Sequence, residues 1–174
     1  MLIEATKLIG LPIAAEDTMS KVGAVSGIVV DPENGQLLGL IISNGIFLPK
    51  KALSAFDIKF WDPAGIITLY ENNLVAPTEI VRIQNVLERK IELLGMLART
   101  ESGKSLGHVE DFVIETETQS VVKYYLKDLL KKRVMGSDKV VSIDKEIVFT
   151  DDAAVETEVI KSEAVAPLTE AQTA

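Results

Sequence analysis

The segment whose residue types come nearest to chemistry is Ala98-Arg99-Thr100-Glu101-Ser102-Gly103-Lys104-Ser105, which fits a relaxed phosphate-loop pattern with alanine in place of the first glycine. Such a loop works because it opens a helix whose amides, together with the lysine, hold phosphate oxygens. Here the next residues are Leu106-Gly107-His108-Val109, a glycine-bearing strand start, and no strand ending in an acid suited to magnesium lies downstream. The context therefore predicts a Ser-Gly-Lys hairpin turn. His108 is the sole histidine, so a Ser-His-Asp triad would have to be built around it, and no nucleophile-elbow sequence occurs. The absence of cysteine removes thiolate nucleophiles, disulfides and cysteine metal sites together. A metal would have to lean on Glu110, Asp111, Glu115 and Glu117, which read more simply as solvated strand ends. No catalytic residue, cofactor site or metal site is assigned.

Two groups of residues could bind rather than react. Lys127, Lys131, Lys132 and Arg133, with Lys123 nearby, form the one basic concentration and flank Leu129-Leu130. They suit an acidic partner, although lysines at a turn also keep a strand edge from aggregating. Phe47, Phe56, Phe60 and Trp61 gather within fifteen residues, and the expectation is that they fill a small barrel's interior. If Trp61 instead lies exposed beside Phe47 and Leu48, the three mark a binding surface, since aromatic residues are enriched at hot spots.

The elements that must position these residues repeat. Lys7-Leu8-Ile9-Gly10 corresponds to Glu92-Leu93-Leu94-Gly95, Val22-Gly23-Ala24-Val25 to Leu106-Gly107-His108-Val109, and Ile28-Val29-Val30-Asp31 to Phe112-Val113-Ile114-Glu115. Leu37-Leu38, Leu40-Ile41-Ile42 and Ile66-Ile67 find counterparts in Val121-Val122, Tyr124-Tyr125-Leu126 and Ile147-Val148. In each unit the runs have strand length and close turns. Val25–Asp31 and Leu37–Ile42 form a hairpin across Pro32-Glu33-Asn34-Gly35. A strand is expected over Ile46-Phe47-Leu48, stopped by Pro49, then a helical turn over Lys50–Phe56, and a strand pair around Asp62-Pro63-Ala64-Gly65. The second unit is read as strands Gly107–Glu115, Ser120–Leu126, Leu130–Met135, Val140–Ile143 and Glu146–Phe149. These strands suit a closed or nearly closed barrel, which removes exposed edges. Ile80, Ile83, Val86, Leu87 and Ile91 recur at helical spacing in the connector 77–94, where a helix of two or three turns is one reading.

The matched residues resemble the PRC-barrel family: Leu94-Gly95, Thr100-Glu101-Ser102-Gly103-Lys104, Leu106–Asp111 and Val113-Ile114-Glu115 in the second unit, and Leu8-Ile9-Gly10, Val22–Gly27 and Val29-Val30-Asp31 in the first. Gly27 stands where the second unit has Asp111, so a polar role there is not shared. The resemblance implies an all-β chain of two small PRC-type β-barrels in tandem, residues 1–76 and 77–150. It also implies a binding or assembly role with no common active site, and by analogy an accessory role in ribosome assembly.

Charge is divided unevenly: five basic and eight acidic residues in 1–78, twelve of each in 79–150, and one basic against six acidic in 151–174. The tail, 151–174, is expected to be acidic and disordered because it offers too little apolar surface to offset chain entropy. The net charge of −8 argues against direct nucleic-acid binding. No leader or apolar span is legible, so no membrane span and a cytoplasmic location are expected. The function expected is a non-catalytic adaptor with an unidentified protein partner. A small-ligand or metal-ion sensor using a cleft between the barrels is the alternative.

Overall fold

A computed structural model describes residues 1–129 and 131–155. The chain opens with β1 (Leu2–Glu4) and the short helix α1 (Ala5–Leu8). Then come β2 (Pro12–Ala15), β3 (Ser20–Val30), β4 (Leu37–Ser43), β5 (Lys51–Ser54), β6 (Ile58–Asp62), β7 (Gly65–Thr68) and β8 (Leu74–Val75). Helix α2 (Val81–Glu88) leads to β9 (Leu97–Thr100), β10 (Ser105–Glu115), β11 (Ser120–Lys127), β12 (Lys132–Gly136), β13 (Val140–Ile143) and β14 (Ile147–Phe149).

Two seven-stranded sheets result. One runs β6-β7-β2-β3-β4-β5-β8; the other runs β12-β11-β10-β9-β14-β13, with β1 added to β10. Their internal pairings correspond. In each, a long central hairpin (β3–β4, β10–β11) is flanked by a short strand, β2 or β9, that runs parallel to a late strand of its unit, β7 or β14. The hydrogen-bonded order of the first sheet ends at β6 on one side and β8 on the other, which leaves these two strands as its edges.

Several local expectations are corrected. Residues 44–50 form a loop, not a strand, because Gly45 adopts φ 103° and Pro49 has no amide to donate. Lys51–Ser54 is a strand paired to β4, and only Ala55–Asp57 turns, as a 3-10 segment whose entry is capped by the Ser54 hydroxyl accepting from the Phe56 amide. Strand β12 starts at Lys132. Helix α2 occupies eight residues of the connector and buries Ile83 and Val86, the helical spacing legible in the sequence. The expected disorder of the tail falls largely on residues outside those described.

The two halves are interlocked. At the tips of the central hairpins the Leu37 amide donates to the Gln119 carbonyl at 2.7 Å, and the Val121 amide to the Gly35 carbonyl at 2.9 Å. Helix α1 begins the first half yet packs on β10: the Thr6 amide donates to Asp111 Oδ1 at 3.1 Å, and the Thr6 hydroxyl donates to the other carboxylate oxygen. Helix α2, which begins the second half, packs on β3 and β4, with Arg82 paired to Asp31. Buried side chains from both halves join in one contiguous apolar cluster.

Candidate interaction surface

The turn that resembled a phosphate loop has no amide to offer an anion. Glu101 N–H donates to the Phe149 carbonyl, Gly103 N–H to the Thr100 carbonyl, and Lys104 N–H to the Thr100 hydroxyl. The remaining amide, that of Ser102, donates to Asp151 Oδ1 at 2.9 Å, and this bond holds the Asp151 carboxyl below the usual carboxylate range. The chain's own acid thus fills the place a phosphate would take. The turn joins β9 to β10 as a hairpin and opens no helix.

The acidic residues serve similar ends. Glu115 accepts from the N-terminal ammonium at 2.7 Å and from the Thr118 and Glu117 amides; these bonds, the ammonium first, lower its pKa to about 2. Asp31, its counterpart in the first unit, accepts from the Glu33 amide and pairs with Arg82. Asp111 latches α1, a role that Gly27 in the first unit cannot take. His108 is exposed on β10. Among the described residues no group of three or more His, Asp or Glu side chains is placed to hold a metal ion.

The basic concentration divides. Lys127 and Lys132 lie 3.3 and 3.2 Å from the two oxygens of Glu110. Slight burial works against that carboxylate's charge, but the two lysines outweigh it and hold the pKa below the ordinary value. Lys131 is exposed. Arg133 is buried, and its guanidinium donates to the Leu106 carbonyl at 3.1 Å; it closes β12 over β10 instead of facing solvent.

The aromatic group is the larger correction. Phe47 is 97% exposed, Phe56 84% and Phe60 56%, and only Trp61 packs against the core. The first barrel is filled by aliphatic side chains such as Ile13, Leu40, Ile42, Leu53 and Ile66; the expected aromatic filling occurs in the second half, where Phe112, Tyr124 and Phe149 stack. Phe60 and Trp61 lie on β6, whose outer edge carries unpaired backbone groups, and Phe56 immediately precedes that strand. Lys59 lies 5.5 Å from the Phe60 ring centre and pairs with Glu16. Phe47 and Leu48 sit elsewhere, in the β4–β5 loop at the far end of the hairpin. The corresponding β11–β12 loop carries Leu129, 96% exposed. Because β4 and β11 run away from the junction in opposite directions, these loops lie at opposite ends of the molecule, and the candidate residues do not form one patch.

A cleft of 370 Å³ lies where the halves meet, lined by the Pro32–Gly35 turn, Ser120 and Tyr124 of β11, and the Ser137–Ile143 segment. Its charged residues are the acids Glu33 and Asp138.

These features define a mostly β protein of two curved sheets. Residues 1–74 match the family model of the PRC-barrel domain. The match ends at residue 74 and does not extend over β9 to β14. No curated protein matches the chain. No helix among the described residues is long and apolar enough to cross a membrane.

Proposed function

We propose that the chain is a non-catalytic interaction and assembly module in which two PRC-type barrels, residues 1–76 and 77–150, display a protein-binding edge. The observation that carries this reading is the open strand β6 with Phe56 and Phe60 exposed along it and Trp61 half-buried beneath. An unpaired edge supplies main-chain donors and acceptors to an extended segment of a partner, and aromatic side chains supply the anchors. Polar groups elsewhere are engaged in fastening turns and helices, which supports a scaffold rather than a reactive centre.

The test is affinity capture from a native extract, with wild type compared against Phe60→Ala and Phe56→Ser. A partner held through this edge is lost from both variants, since a hot-spot truncation costs about 2 kcal/mol or more, roughly thirtyfold in affinity. Equal recovery by all three proteins refutes the assignment to β6. The junction cleft supports a second reading, a small-ligand sensor. A thermal-shift panel of divalent cations and nucleotides tests it, because a ligand specific for the folded state raises the melting temperature; no shift at any ligand removes it.

A further inference from the structure

The β4–β5 loop presents Ile46, Phe47 and Leu48 in succession, 93%, 97% and 57% exposed, at the extremity of the first barrel. It turns at Asn44-Gly45 and is bounded by Pro49. An apolar space of 280 Å³ beside the loop is lined by Leu48, Pro49 and Lys51 and, across from them, by Val22, Ile42 and Leu74. The next residues, Lys50 and Lys51, are exposed and have no ion pair among the described residues. They are two of only five basic residues in the acidic first half. Met19, 88% exposed in the β2–β3 turn, overhangs the same end, because β3 continues past its last pairing with β4 at Ala24–Ser43.

We propose that this tip is a peripheral membrane anchor, in which Ile46, Phe47 and Leu48 enter the interface of an anionic lipid bilayer while Lys50 and Lys51 contact its headgroups. Three consecutive exposed apolar side chains followed by two lysines without ion pairs among the described residues favour a bilayer, since a fluid apolar phase receives them without a matching groove and anionic headgroups complement the lysines. The corresponding loop of the second half is a further argument. It repeats the composition: Leu129 and Leu130 are followed by Lys131 and Lys132, where the first loop has Phe47, Leu48 and, after Pro49, Lys50 and Lys51. Apolar residues followed by paired lysines are what an anionic interface selects. A protein pocket would select particular side-chain shapes. Lys132 is held by Glu110, so the first tip carries the freer charge. The anchor is separate from β6 and stands whether or not that edge binds a protein.

Co-sedimentation of the full chain with vesicles of phosphatidylcholine alone, and with a quarter phosphatidylglycerol, is the test. Circular dichroism confirms that each variant folds. The wild type partitions onto the anionic vesicles and weakens with added salt. Phe47→Asp lowers the partition coefficient at least tenfold, and each of Lys50→Glu and Lys51→Glu lowers it about fivefold or more on anionic vesicles only. Absence of binding to either vesicle overturns the proposal, as does binding that Phe47→Asp leaves unchanged. Sedimentation velocity without lipid guards the remaining alternative. A concentration-dependent dimer dissolved by Phe47→Asp would give the tip to a second copy of the chain and overturn the lipid assignment.

Discussion

Replacing Gly107 by alanine tests the packing of the second central hairpin and, through it, the correspondence between the halves. Gly107 has φ 96°, a conformation that costs an L residue about 1–3 kcal/mol. A Cβ built there falls 2.6 Å from the Lys127 carbonyl carbon, 2.8 Å from the Asp128 nitrogen, and closer still to the Lys127 carbonyl oxygen. All three are backbone atoms, so relief requires β10 and β11 to part at that end, an overpacking cost of about 1–3 kcal/mol. The sum is about 2–6 kcal/mol. Gly35→Ala is the control, since Gly35 has φ 71° but nothing within 4 Å of its Cβ position, leaving only the conformational cost of about 1–2 kcal/mol. In a chain of this length each kcal/mol lowers the melting temperature by about 2–4 °C. Gly107→Ala therefore melts on the order of 10 °C below wild type, and Gly35→Ala a few degrees below. Thermal and urea unfolding followed by far-ultraviolet circular dichroism and by Trp61 fluorescence give the comparison, and coincidence of the two probes establishes two-state behaviour. If Gly107→Ala proves no less stable than Gly35→Ala, the close approach of Lys127 is not what requires glycine here, and the argument fails.

Arg133→Met removes the donor to the buried Leu106 carbonyl and is expected to cost about 1–3 kcal/mol in urea unfolding, whereas Lys131→Ala stays within about 0.5 kcal/mol; equal effects would return Arg133 to the exposed basic group. Glu115 has a folded pKa of about 2, below the ordinary ~4.3 of an unfolded glutamate, so its stabilisation is complete above the unfolded value and is lost as pH falls through the folded one. Glu115→Gln is therefore expected to flatten the stability profile between pH ~4.3 and about 2, read by melting temperature against pH, with nuclear magnetic resonance titration of the carboxyl as the direct check. Asp111→Ala deletes the acceptor of both Thr6 bonds and is expected to raise amide hydrogen exchange over residues 1–8 more than over β10, at a cost of about 1–3 kcal/mol.

The strands that carry the central hairpins were legible because Val25–Asp31, Leu37–Ile42 and their counterparts are long aliphatic runs separated by strong turn residues. Strands β2 and β9 were not, since Pro12–Ala15 and Leu97–Thr100 are four residues each, and their pairing with β7 and β14 is a non-local parallel contact that no short-range pattern encodes. The aromatic residues misled for a different reason. Hydrophobic character says what a side chain would gain by burial, but on β6 an irregularity between Ile58 and Phe60 breaks the alternation, so that Ile58 is buried and Phe60 is exposed, and Phe47 stands exposed in a loop. Burial of Arg133 was equally invisible in a run of lysines, because only register determines which member of the run turns inward.

The two sheets are not built from self-sufficient stretches of chain, since β1, at the start of the chain, pairs with β10 of the second sheet. The segment that opens each half lies on the other half's sheet, β1 and α1 on β10, and α2 on β3 and β4. Gly39 shows how close the second contact is: a Cβ there would meet Ile83 Cδ1 at 2.9 Å, and the Leu53 carbonyl closer still. Leu8 of α1 and Ile83 of α2 are fully buried, so separating these helices from β10 and from β3 and β4 would expose apolar surface. The crossing also explains why Asp111 and Gly27 differ at corresponding positions. In the second half the acid latches a four-residue helix that offers the Thr6 amide and hydroxyl, whereas in the first half α2 is held by Arg82 reaching the Asp31 turn and by the apolar contact over Gly39. The two sheets are thus joined through unlike fasteners.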